Sequence, residues 1–253
     1  SQITNSSNVI IRAAKASGTA VILVGHVTKE GSIAGPKILE HLVDVVLNFE
    51  GDRYGGFRVV RAQKNRYGST NEAAIFEMDE RGLRIVKNPS AELLAERQNL
   101  DGSIVLATME GARPLLVEIQ ALVNPTNFGY PKRTASGFDL NRLNLLVAVL
   151  EKRTKLKLAD KDIYVNVVGG LKLNDPAADL AVAMAIASAS AGRSLDEGAV
   201  VFGEIGLGGE VRSATNWQAR IKEAKKLGFT YAIAPKVHKD KFIKGVSDMR
   251  QAL

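Results

Sequence analysis

Five consecutive residues, Lys64-Asn65-Arg66-Tyr67-Gly68, carry the most legible chemistry in the chain. They close a strand-like run from Phe57 to Lys64, and the two-residue period of a strand sets Lys64 and Arg66 on one face. A compact ammonium beside a planar guanidinium suits a chain of phosphates, which arginine can grip through two parallel hydrogen bonds. The pair also fits a solvated strand end, because exposed basic pairs are common. Other chemistries lack their residues. There is no cysteine, which removes disulfides, cysteine-ligated zinc and thiol nucleophiles from the chain. Its three histidines, His26, His41 and His238, lie too far apart in sequence for a local metal motif, and no metal site is expected.

The 253 residues, 45% hydrophobic and 24% charged, exclude a disordered or fibrous chain and allow one large domain or two small ones. A formal charge of +7 favours polyanionic partners without identifying one. It is spread over both halves, so an anion site must come from local clustering. The polar start, Ser1 to Ser7, and the lack of any run near ~18 apolar residues point away from export and membrane insertion, leaving the cytoplasm as the expected setting.

The elements that must position the basic pair form two unlike parts. Residues 1–90 begin with helical spacing from Asn8 to Ala16, then the apolar run Ala20 to Val24, of buried-strand length, ending at His26. A glycine-bearing loop from Val27 to Pro36 and a short helix near Ile38 to Leu42 follow. Strand-like runs are expected at Asp44–Glu50, Phe57–Lys64, Ala73–Met78 and Arg84–Lys87. Residues 91–102 read as a polar linker. From 103 to 253, strands alternate with helices: an amphipathic helix capped by Asp139, a helix opened by Asp175-Pro176 whose residues Ala177 to Ala189 are almost all small and apolar, and another from Trp217 to Leu227. The mixture is α/β or α+β.

Collinear segments over nearly the whole chain resemble one family. They are Val24-Gly-His-Val-Thr-Lys-Glu-Gly-Ser-Ile-Ala-Gly-Pro-Lys37, Leu39-Glu-His-Leu-Val-Asp44, Lys64-Asn-Arg-Tyr-Gly68, Arg113-Pro-Leu-Leu-Val-Glu-Ile-Gln-Ala-Leu-Val123, Asn166-Val-Val-Gly-Gly170 and Val201-Phe-Gly-Glu-Ile-Gly206. By them the chain resembles the RadA (Sms) family of bacterial DNA-repair proteins, with Tyr67 where the family usually has Phe. The resemblance implies an α/β fold, a partial RecA-like ATPase core followed by a Lon-protease-like α+β domain. It also implies a homo-hexameric ring acting as an ATP-dependent helicase and branch-migration motor on single-stranded, double-stranded or branched DNA, alongside a recombinase such as RecA. Lys64 and Arg66 would touch the phosphates of ATP in an adjacent subunit. His26 would sense the γ-phosphate, and Lys29 and Lys37 would contact DNA.

The chain departs from the family pattern in two places. Family members carry a four-cysteine zinc finger and a glycine-rich phosphate loop, and neither is matched here. The chain is expected to begin downstream of both, to hold the trans half of a site for ATP and magnesium, and not to hydrolyse ATP alone. In the Lon-like part, Ala177 stands where the resemblance puts a serine nucleophile and Gln218 where it puts the dyad lysine. Without either, no acyl-enzyme can form there.

A domain that has lost its dyad is expected to serve assembly and surface binding. Arg133, Arg142 and Lys172 are the candidate DNA contacts in this part, while the charged stretches Lys152–Lys157 and Lys236–Lys244 read as solubilising surface. The alternatives are an active serine-lysine peptidase and a structural ring scaffold without DNA contact.

Overall fold

A computed structural model describes residues 2–25, 38–51, 57–127 and 129–253. His26, Lys29 and Lys37 fall outside them. The chain opens with helix α1 (Gln2–Ser17), closed by Gly18 at φ +66°, where a left-handed backbone ends the helix. The apolar run Ala20–Val24 does not form the central strand expected from its composition. It pairs with no strand among the described residues, and Ile22 and Val24 are each 90% exposed. Apolar residues become a buried strand only against a neighbour, and the four-stranded sheet that follows does not include them.

After helix α2 (Ile38–Leu42), strands β1 (Val45–Glu50), β2 (Phe57–Asn65), β3 (Ala73–Asp79) and β4 (Gly82–Ile85) make a four-stranded antiparallel meander in chain order. Alternation sorts its side chains. Val46, Val59 and Ile75 turn inward, whereas Val45, Leu47 and Phe49 face outward and are exposed.

Helix α3 (Pro89–Leu94) packs on the second sheet rather than floating as a linker: Pro89, Ser90 and Leu93 are buried, and Ser90 Oγ accepts from the Leu116 amide. The remaining elements are strands β5 (Ser103–Glu110), β6 (Arg113–Pro125) and β7 (Arg133–Ser136), helix α4 (Leu140–Arg153), strand β8 (Lys161–Val167), a 3-10 turn (Pro176–Ala178) and helix α5 (Asp179–Ala191). Strands β9 (Ala199–Val201), β10 (Glu204–Ile205) and β11 (Val211–Arg212), helix α6 (Trp217–Lys226), strands β12 (Tyr231–Pro235) and β13 (Ile243–Val246) and helix α7 (Met249–Ala252) complete the chain. A seven-stranded mixed sheet runs in the order β13-β12-β9-β5-β6-β8-β7, and β10 and β11 form a separate ribbon. Four of its neighbouring pairs are parallel and two antiparallel, so the fold is mixed α/β. Strand β7 lies in the stretch from Asn124 to Phe138 that its glycines and prolines mark as loop. Only four residues long and on the sheet edge, it has too little pattern to register.

Composition explains the centre. Ser103 to Thr108 of β5 is buried on both faces, as a continuous apolar run in a covered sheet should be. Helix α5, all small or apolar after Asp179, is buried from Asp179 to Ala187 and lies along β5 and β6. Leu106 and Ile104 are fully enclosed, and truncating such a side chain to alanine costs about 2–5 kcal/mol. The core crosses the expected domain boundary: Val59, Ile75, Val86 and Leu93 belong to the same buried cluster as the strands of the larger sheet. Arg61 of β2 reinforces it, pairing with both Glu50 and Glu110 of β5.

Candidate functional site

Lys64 and Arg66 point the same way and converge on one short stretch of backbone. Lys64 Nζ donates to the carbonyls of Glu40 (2.7 Å), His41 (3.2 Å) and Val43 (2.8 Å), the orphan acceptors at the end of α2. Arg66 reaches the His41 carbonyl at 3.4 Å and Asp44 Oδ1 at 3.1 Å, while its amide donates to the Asp44 carbonyl. The chain turns directly after them, with Tyr67 N donating to Asn65 Oδ1 and the Tyr67 ring 81% exposed. Two cations therefore share one edge, as strand alternation predicted, and Arg66 keeps 47% of its side chain in solvent. Such an edge can present a guanidinium to an anion from outside. Lys64 must first release the carbonyls it caps.

The larger sheet carries a second, buried ionic centre. Asp175 caps the 3-10 turn through the Ala177 amide at 3.0 Å, and its other oxygen accepts from Thr108 Oγ1 at 2.9 Å, Met109 N at 3.0 Å and Arg220 Nη1 at 2.6 Å. Arg220 is fully buried, donates also to the carbonyls of Ala107 and Thr215, and lies 5.6 Å from the Phe202 ring centre. Its Nη2 has no partner. Burial would raise the Asp175 pKa, but the Arg220 hydrogen bond and charge outweigh it and hold the carboxyl below its usual value. Ala177 is buried beside this centre, whereas Gln218, at the start of α6, is exposed. No hydroxyl stands at 177 and no amine at 218.

The candidate DNA contacts behave differently from one another. Arg142 grips the buried Asp179 with two nitrogens, Nε to Oδ1 at 3.0 Å, and reaches the Ile205 carbonyl at 2.7 Å. Arg133 is turned onto the carbonyls of Lys132, Leu158 and Lys161. Both guanidinium groups are thus engaged within the chain, since a buried carboxylate or open carbonyl requires a donor nearby. Lys172 is exposed. Gly169, just before Lys172, is small for an internal reason: at φ +85°, a Cβ there would run into Leu93, with Phe57 next behind.

Sequence reasoning missed the roles of Asp179, Arg220 and Arg61. A lone Asp heading an otherwise apolar helix was the available signal for Asp179, because a buried carboxylate needs a partner. Nothing local distinguished Arg220 from the other cations of α6.

A family model described as subunit ChlI of Mg-chelatase matches residues 143–238, from α4 to just beyond β12. Relatives described as DNA repair protein RadA align with most or all of the chain. That of Halalkalibacterium halodurans is 54% identical over 89% of this chain and 50% of its own length. Those of Bacillus subtilis and Listeria monocytogenes are 50% and 48% identical over 100% of this chain and 57% of their own. The chain spans about half the length of these relatives.

Proposed function

The chain belongs to the RadA family of DNA repair proteins, and from that premise we propose that it forms part of an ATP-driven DNA repair motor. In this reading residues 1–90 are the later part of a RecA-like ATPase core, and residues 103–253 are a Lon-like domain without peptidase chemistry. The assembly is a cytoplasmic hexameric ring that migrates branched DNA, with RecA as recombinase partner. The resemblance implies a zinc finger and a phosphate loop in the whole protein. The observation that carries the proposal is the convergence of Lys64 and Arg66 beside the His41 carbonyl, an edge suited to a neighbour's ATP phosphates.

The two cations fit an anionic phosphate chain. Arg66 offers its exposed guanidinium to the transferring group, and Lys64 adds a point charge once it leaves the α2 carbonyls. Magnesium, when bound with ATP, supplies charge neutralisation across the phosphates. Among the described residues no group of three or more metal-capable side chains is gathered, so its ligands are not assigned to this chain. His26, Lys29 and Lys37 keep their proposed roles as phosphate sensor and DNA contacts.

For the DNA path, Lys172 is the direct contact and Arg133 and Arg142 act through the loops they brace. The engagement of those two arginines favours one second reading, a ring scaffold without DNA contact. In the whole protein, Lys64→Ala or Arg66→Ala leaves nucleotide binding largely intact and collapses hydrolysis; unaffected turnover would sink the trans-contact role. Lys172→Gln flattens the dependence of DNA affinity on salt, and a scaffold predicts no change.

A further inference from the structure

The end of α4, the Gly206–Gly209 turn and the start of α7 enclose an open cleft of about 210 Å³. Three cations line it, Lys152, Arg153 and Arg250, against one carboxylate, Asp248. Asp248 is shared between backbone amides and the cleft's own Arg250. Its Oδ1 accepts from the amides of Arg250 at 2.9 Å and Gln251 at 3.2 Å, and its Oδ2 stands 3.7 Å from Arg250 Nη2. Neither Lys152 nor Arg153 forms an ion pair among the described residues. The Arg250 side chain is 76% exposed despite its pairing with Asp248.

The floor of the cleft is fixed. Met249 N donates to the Gly209 carbonyl at 2.9 Å, Val211 N to the Ser247 carbonyl at 2.9 Å, and Gly209 N to the Gly206 carbonyl at 2.9 Å. Gly209, at φ +86°, lies directly under the Arg153 stem: a Cβ there would stand 3.0 Å from Arg153 Cγ. Glycine at 209 therefore meets both a backbone requirement and a space requirement, and the latter holds the root of Arg153 over the cleft. Cations in the last turn of a helix ordinarily offset its dipole, but the Leu150 carbonyl already has two donors from Thr154, its amide and hydroxyl.

Two guanidinium forks and an ammonium around one cleft, with a net excess of positive charge, match a group that offers several oxygens and more than one negative charge. We propose that this cleft is a binding site for a phosphoryl group, carried either by a nucleic-acid strand or by a free phosphate or nucleotide. The stretch beginning at Lys152, which composition marks as solubilising surface, thereby acquires a specific ligand chemistry. The inference stands on the cleft alone and does not depend on the roles of Lys64, Arg66 or Lys172.

Calorimetric titration of the chain with inorganic pyrophosphate, alone and in competition with a short thymidine oligonucleotide, tests it. Lys152→Gln/Arg153→Gln weakens pyrophosphate binding by about tenfold or more. Arg193→Gln/Lys222→Gln, which removes the same charge elsewhere, changes it by less than about twofold. Lys152→Gln/Arg250→Gln, which leaves the Arg153 stem on Gly209, shows the larger loss with an unchanged thermal midpoint. Displacement by the oligonucleotide identifies a nucleic-acid source, and pyrophosphate binding that the oligonucleotide does not disturb identifies a free phosphate or nucleotide; both uphold the site. Absence of pyrophosphate binding to the unmutated chain, or equal losses in the cleft and control variants, overturns it.

Discussion

Asp175 and Arg220 form an ion pair at 2.6 Å in which the guanidinium is wholly removed from water, beside the buried Ala177. Two charges taken from water are tolerable only together, because each alone keeps its desolvation cost and loses its partner. Asp175→Ala is therefore expected to lower stability by about 3–5 kcal/mol, read from chemical denaturation. Asp175→Asn/Arg220→Met, which removes both charges, costs less than that single change. A double variant as unstable as the sum of its parts would show the pair to be uncoupled.

The same pair sets an acid limit. Because the folded Asp175 pKa lies below its usual value, its contribution is complete above the ordinary carboxylate range, about pH 4, and is lost as pH falls through the folded value. Acid denaturation of Asp175→Asn should lose that part of its slope.

His238 stacks on Trp217 with ring centres 5.1 Å apart, and its Nε2 accepts from the Ala214 amide at 3.0 Å. Burial, and then the charge of Arg220, hold the imidazole below its usual pKa. Its contribution to stability is present above the unfolded value, about pH 6.5, and is lost as pH falls through the folded one, where protonation removes the acceptor. Trp217 is the only tryptophan in the chain, so intrinsic fluorescence reports the step directly. Emission should drop on acidification, with a midpoint below the ordinary histidine value of about 6.5, and His238→Gln should abolish that drop.

Arg61 stands between Glu50 and Glu110 and ties the meander to β5, and the hydrogen bond to Glu110 leads the effects that raise its pKa. Arg61→Gln leaves two carboxylates facing each other with no cation. A loss of about 1–3 kcal/mol is expected, partly recovered in Arg61→Gln/Glu50→Gln and measured by thermal denaturation.

Ala177→Ser/Gln218→Lys should not create a peptidase. Position 177 is buried and position 218 is exposed, and Asp175 and Arg220 occupy the space around the former. Cleavage of an unfolded protein substrate by the double variant would contradict this.

Strand alternation sufficed to put Lys64 and Arg66 on one side, and the Asp139 and Asp175 caps were legible because a cap is a local pattern. Helix α5 declared itself by being apolar all round. What composition could not show was pairing at a distance. Arg142 and Arg133 look like free cations until Asp179 and the carbonyls of Leu158 and Lys161 are brought beside them, and Ala20–Val24 looks like a core strand although it pairs with no strand among the described residues. Burial of Arg220 is likewise a property of the assembled sheet and not of α6.

The tie from Arg61 to Glu110 and the buried cluster shared by Val59, Ile75, Val86 and the larger sheet join the two sheets through one packed core among the described residues. Displacing the Lys64 end of β2 is therefore expected to carry the larger sheet with it, because no contact between the two would have to break first.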